Sequence, residues 1–488
     1  NLTPLENHFD VHALFCRFLT VGHKELSPCT CTFLQKFYNG FIEIPQEDAL
    51  MKRQNQSMLE GPLFVNIILY TIPIILTSVL QLLFNAADLI IVGRFCGSIS
   101  VAAVGATDAI TKLMVNFFIG LSVGAGVTVA HGLGSRDNEV VHNTVHTALL
   151  TSLVSGVVLT FVGVLFSESF LRLMGTPEAV LPLSSVYIRI YFAGITFTMV
   201  YNFAAAILRA AGDTKSPLLF LSIAGVINVV LNIFFVTVLH MNVAGVALAT
   251  TISQGFSAVM VVRVLMKRTD ACRLELKKLR FHSIQLEKMM TIGLPAGLQS
   301  CLFSISNVMI QSSINSFGDV LMSGNAAAGN IEGFIYVTLN AFHQTAVNFI
   351  GQNAGARQYK RVAKILGICM GSVAVTGLIL GSLVYKTGPF LLSLYITDSP
   401  EATQWGMIRL SIVCLFYFIC GMMDVSTGAL RGLGASFVPM LISVLGVCGI
   451  RIGWICTIFQ IPRFHTPESL YFSYIIYYNG NLISFLIV

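Results

Sequence analysis

The stretch from Pro62 to Phe95, PLFVNIILYTIPIILTSVLQLLFNAADLIIVGRF, constrains this chain more than any other. It is apolar for longer than the about 20 residues that carry a helix across the hydrocarbon core of a bilayer. Only Pro73 and Asp88 break it in its interior. A carboxylate inside such a run is costly unless it faces a protein interior or a wet cavity, so Asp88 is a functional candidate. Similar runs recur to the end of the chain, giving twelve expected spans: 62–93, 99–133, 139–167, 182–210, 217–238, 243–266, 287–316, 321–353, 360–383, 402–429, 437–459 and 468–488. Hydrophobic residues make up 55% of the chain and charged residues 11%, against about 25% charged in soluble domains. Backbone groups in a bilayer must pair within the chain, and runs of this length do so as helices. The fold class is therefore an all-α polytopic membrane protein.

The net charge of +6 does not call for a nucleic-acid partner, because the bases sit in short loops. One set of alternate loops holds Arg136, Arg209, Lys215, Lys267, Arg268, Arg273, Lys277, Lys278, Arg280, Arg357, Lys360, Arg361, Lys364 and Arg431; the opposite set holds little beyond Arg94, Arg172, Lys386 and Arg463. Positively charged loops stay cytoplasmic, which predicts a plasma-membrane protein with both termini inside. The 267–286 loop has an amphipathic pattern that suits a membrane surface, but a solvated connector is the simpler expectation. The eleven cysteines are scattered, with only Cys29 and Cys31 close together; neither a disulfide framework nor a metal site is expected. Residues 1–57 lack a span-length run, and the expectation for them is a disordered or non-native tail. The last span carries Asn479, Gly480 and Asn481 in its middle, which suggests an altered carboxyl end.

A shift of 222 residues brings uncommon residues into register. Pro73 meets Pro295, Asn85 meets Asn307, Leu208-Arg209 meets Leu430-Arg431, Gly212 meets Gly434 and Pro217 meets Pro439; Gly134-Ser135-Arg136 meets Gly355-Ala356-Arg357 at 221. Six spans per copy is even, so both copies cross in the same sense and form a parallel repeat. The expected architecture is two six-helix bundles, 58–266 and 287–488, joined by the loop 267–286. Matched Pro73 and Pro295 fit either packing kinks or gating bends. Gly120 and Gly124 form a small-residue motif for close helix packing.

The acids within spans are Asp88, Asp108, Glu332 and Asp424, and Arg451 is the clearest base. A buried carboxylate at Asp88 can take a proton or a sodium ion. Asn228 and Asn232 fall at i, i+4 on one face of the fifth span, where they either complete an oxygen site with Asp88 or bond neighbouring helices. Glu332, Asp424, His343 and Arg451 are candidates for a substrate cavity in the second bundle, with one acid expected to pair with Arg451. His142 and His146 read as interfacial residues. Asp108 aligns with Asn330 across the repeat. There is no H-E-x-x-H, G-x-S-x-G or phosphate loop, so the chain reads as a non-enzyme that draws energy from an ion gradient or a partner.

DLIIVGRFCGSISVAAVG, ILRAAGDTKSP, GNIEGFIYVTLNAFHQTA followed by GQNAGA, GALRGLGASFVP and IPRFHTPE together resemble the multidrug and toxic compound extrusion (MATE) transporters of the MOP superfamily. The branch they are most similar to contains the DNA-damage-inducible F proteins. The resemblance spans about residues 58–475. It implies twelve helices in two lobes and export of organic cations in exchange for sodium or protons, with no other cofactor. It also implies a coupling site in which Asp88 matches the first-span acid, Asn228 the fifth-span asparagine and Thr250 a sixth-span threonine. Asn232 stands where some members carry a second acid. A monomer in the bilayer with small organic cations as substrates is expected; a lipid-linked precursor flippase or a narrow metabolite exporter of the same superfamily is the alternative.

Overall fold

The computed structural model describes residues 58–396 and 399–471. The expectations for residues 1–57, for Cys29 and Cys31 and for most of the last span lie outside the described residues. The first half comprises α1 (Leu63–Phe95), α2 (Ser98–Gly134), α3 (Asn138–Leu173), α4 (Leu181–Ala193), α5 (Ile195–Ala210), α6 (Lys215–Ile233) and α7 (Asn242–Lys267). The second comprises α8 (Ser283–Asn315), α9 (Asp319–Gly355), α10 (Tyr359–Ser393), α11 (Pro400–Val413), α12 (Tyr417–Gly432), α13 (Phe437–Ser443) and α14 (Ile450–Cys456). Among the described residues nine helices are long and apolar enough to span a membrane, or ten if α4 and α5 count as one. That pair covers the span expected over 182–210, with its axis bent by 46° at the break. The bend follows from contact with α7: a Cβ on Gly194, at the break, would lie 2.2 Å from Thr251.

The repeat is physical. The 222-residue shift carries Ile195–Ala210 onto Tyr417–Gly432. It also carries Gly212 onto Gly434, with φ of 90° and 92°, while the 221-residue register pairs Arg136 with Arg357, at 57° and 58°. Two turns, each ending a helix in the left-handed region, are thus built twice. The two bundles share a cores-exchanged arrangement. Ile67, Tyr70 and Ile74 of α1 pack into the core of the second half, with Ile350, Val373 and Val425. Met289 of α8 packs into the core of the first half, with Val145, Phe203 and Val261. Each bundle's first helix therefore begins in the other bundle and crosses back past its proline.

Two glycine pairs allow the crossing. A Cβ on Gly124 would sit 2.1 Å from the Met289 carbonyl, and one on Gly120 would sit 2.3 Å from the Gly297 nitrogen. The second half thus supplies its own G-x-x-x-G, Gly293 to Gly297, with Pro295 inside it. Backbones this close gain dispersion contacts that larger residues forbid. The matching α1–α9 contact uses side chains instead: Thr71 and Thr345 hydroxyls bond at 2.9 Å.

One end of the molecule is latched by a second symmetric pair. The His131 ring donates from Nε2 to the Gly432 carbonyl at 2.7 Å. Gln352 donates to the Ala210 carbonyl at 2.7 Å. These are the same position, 221 residues apart, each reaching the last turn of the opposite half's α5 or α12, whose carbonyls have no intrahelical partner. Gly134 and Gly355, with Arg136 and Arg357, line a cavity of about 420 Å³.

The 267–286 loop is not the solvated connector expected. Cys272 is fully buried and Leu274 nearly so, both in the first-half core. His146 accepts from the Glu275 backbone N–H at 3.0 Å, and Thr147 accepts from the His282 N–H at 3.2 Å. The amphipathic pattern is that of a strap tied along α3, which also gives His146 its role. Lys278 stands 3.0 Å from Glu275 and holds that carboxyl below the usual glutamate range.

Candidate functional site

Four side chains from three helices meet at Asp88. Past Pro73, α1 leaves the second-half core and lies along α6, where Ile91 and Val92 pack with Val236 and Val246. That places Asp88 against the polar face of α6. Asn232, fully buried, donates from Nδ2 to Asp88 Oδ1 at 2.5 Å and to Asn228 Oδ1 at 3.2 Å. Thr250 of α7 donates toward Asp88 Oδ2 at 3.4 Å, and Asn228 donates to Thr250 at 3.2 Å. Asp88, Asn228, Asn232 and Thr250, expected together from the sequence, are together.

The site is half open: Asp88 is only half-buried. The buried Asn232 Oδ1 has no hydrogen-bond partner among the described residues. Amide orientations follow from the hydrogen-bond network rather than from atom identity. With Nδ2 toward Asp88, the arrangement suits an ionised carboxylate. Turning the amide over brings Oδ1 to Asp88, which suits a carboxylic acid or an oxygen-liganded cation between the two. A single carboxylate with amide and hydroxyl oxygens has the chemistry to take up and release one small cation. Immediately beyond Asn232 the backbone widens into a π-helical turn, Phe234–Val238. Such turns often accompany functional sites. No composition signal marked it. The second half has its π-helical turn in another register, Val444–Gly449, so the repeat fails where the polar site lies.

The second-half candidates separate into three groups. His343 donates from Nδ1 to the Asp424 carbonyl at 2.6 Å. That fixes the tautomer and leaves Nε2 facing Arg431 Nη1 at 3.5 Å. Arg431 also donates to Gln299 at 2.8 Å. Asp424 Oδ2 is buried and has no hydrogen-bond partner. Glu332 lies elsewhere, paired with Arg409 at 2.7 Å; Arg409 also donates to Asn325. The pairing expected for Arg451 is thus corrected: Arg409 takes Glu332, and Arg451 donates to Asn307 at 3.0 Å. Arg409, in TQWGMIRLSIV, is a base in an apolar run just as Arg451 is, and that is its signal in the sequence. Both charges of the Arg409–Glu332 pair are about nine-tenths buried. Arg409→Met should therefore cost about 3–5 kcal/mol by stranding Glu332. Thermal melting in detergent checks this, and the double variant with Glu332→Leu should recover most of the loss.

Comparison with known proteins fits this geometry. The MatE family model matches residues 73–234 and 295–455, one match per repeat. The chain belongs to the MATE family of transporters. It is a multi-pass membrane transporter and not an enzyme. It is similar to the probable multidrug resistance protein YpnP of Bacillus subtilis, 28% identical over 80% of this chain and 87% of that protein. A second B. subtilis relative, the probable multidrug resistance protein YoeA, is 27% identical over 79% and 84%. Among solved structures, a MOP superfamily transporter of Pyrococcus furiosus superposes with a TM-score of 0.80 at 21% identity, covering 89% of this chain and 95% of that one. That protein has a binding pocket of reversed polarity, which suggests a different function for it.

Proposed function

We propose that this MATE transporter exports organic cations and drugs across the plasma membrane in exchange for sodium or protons. The observation that carries the reading is the Asp88 site: one half-open carboxylate held by Asn232 and Thr250 on a helix shared by both halves. The names of the B. subtilis relatives support drug export. The latched end, with Arg136 and Arg357, is the cytoplasmic end by its loop charge, so both chain termini are cytoplasmic. The state described here then faces outward. A cation on Asp88 changes what α1 gains from lying along α6. Because α1 and α8 each belong to both cores, Pro73 and Pro295 are the points at which they bend as the latch opens. Asp424, with its unpartnered oxygen, and His343 line the substrate path in the second half. Glu332, neutralised by Arg409, and Arg451, held to Asn307, shape its polar wall. The transporter works as a monomer in the bilayer.

The test is dye efflux from energised vesicles with the sodium and pH gradients set independently. Ethidium efflux should follow one gradient and ignore the other, which names the coupling ion. Absence of efflux under both, with folded protein in the membrane, would move the assignment to a flippase or a narrow metabolite exporter.

A further inference from the structure

Lys112 and Asp108 form an ion pair on α2 at 2.7 Å, with side chains 65% and 57% exposed. Charges are rarely left open at membrane depth. At 1.5 Å per residue α2 is about 55 Å long and Lys112 lies about 21 Å from its start, which is inside a layer of about 30 Å when the helix is centred in it. What the pair faces follows from the helix itself. Asp108, Lys112, Ile119, Val123, Ala130 and Gly134 recur at intervals of four and seven, so they share one face.

The lower part of that face is packed against the other half. Val123 packs with Ile292 and Val347, a Cβ on Gly351 would lie 3.0 Å from Ala130, and one on Gly134 would lie 2.0 Å from the Gln352 carbonyl. Continued upward, the same face is exposed at Ile119, Lys112 and Asp108; a face that packs on the other half below borders the space between the halves above. The 221-residue register of α2 and α9 puts Gly329 and Gly333 at the matching places, so the pair has no charged counterpart.

We propose that Asp108 and Lys112 form a substrate subsite that selects organic cations carrying an acidic group as well. This rests on the exporter reading and narrows it. An exposed intrahelical pair contributes little to stability, so ligand groups can readily replace it. A plain monocation that takes Asp108 leaves Lys112 unpaired and repelled. A zwitterion replaces both partners at once and leaves no stranded charge, which favours it wherever solvent screening is weak.

Rhodamine 110, a zwitterion with a carboxylate, and rhodamine 123, its cationic methyl ester, differ in that group alone. Fluorescence anisotropy with the full chain in detergent measures binding of each. The wild type should prefer rhodamine 110. Lys112→Gln should weaken rhodamine 110 by about fivefold while leaving rhodamine 123 unchanged or tighter, and Lys112→Arg should retain the preference. An equal ratio of the two affinities in wild type and Lys112→Gln overturns the subsite and leaves the exporter standing. Failure of the wild type to bind either dye overturns both.

Discussion

Asp88→Asn should reduce coupled efflux to the level of empty vesicles while leaving the folded protein and its melting temperature nearly unchanged. The substitution keeps the volume and a hydrogen-bonding group beside Asn232 and Thr250, so the packing of Ile91 and Val92 with Val236 and Val246 is undisturbed. What it removes is the carboxylate charge, and with Asn232 in place of a second acid the site then has no anion to attract a cation. Substrate binding in detergent should survive, because the substrate path does not need the coupling charge in order to bind. Efflux that persists in a folded Asp88→Asn protein would place coupling elsewhere, with Asp424 the next group to change.

The second large effect is expected at the α2–α8 crossing. Gly124→Val and Gly297→Val should each prevent accumulation of folded protein or lower its melting temperature sharply. Overpacking commonly costs about 1–3 kcal/mol when side chains can shift. Here the atoms met are backbone: the Met289 carbonyl at 2.1 Å from a Gly124 Cβ, and the Phe117 carbonyl at 2.4 Å from a Gly297 Cβ. The helices themselves must part, and both cores move with them. Gly371 of α10 is the control, because a Cβ there meets nothing within 4 Å. Gly371→Ala should be neutral or stabilising by up to about 1 kcal/mol through helix propensity.

Much of this was legible in the residues and some of it was not. Uninterrupted apolar runs need no tertiary information to be read as spans, and matched Pro73 and Pro295 exposed the repeat because proline is rare enough to mark a register. Asp88, Asn228 and Asn232 could be grouped because helical spacing puts both amides on one face and a buried acid needs partners. Pairing was harder. Arg409, not Arg451, neutralises Glu332, and only the packing of α11 against α9 decides between them. The exchange of α1 and α8 between cores leaves no local signature, since a helix buried in either bundle has the same composition. The strap over α3 differs from the solvated connector expected because its charges mask the two residues, Cys272 and Leu274, that reach the first-half core.

The most direct test of antiport reverses the usual experiment. Proteoliposomes are loaded with substrate, no ion gradient is imposed, and sodium and proton movements are followed as substrate leaves. Wild type should drive one of the two cations inward, in step with substrate, and Asp88→Asn should drive neither. Substrate leaving the wild type without movement of either cation would contradict ion-coupled exchange at Asp88.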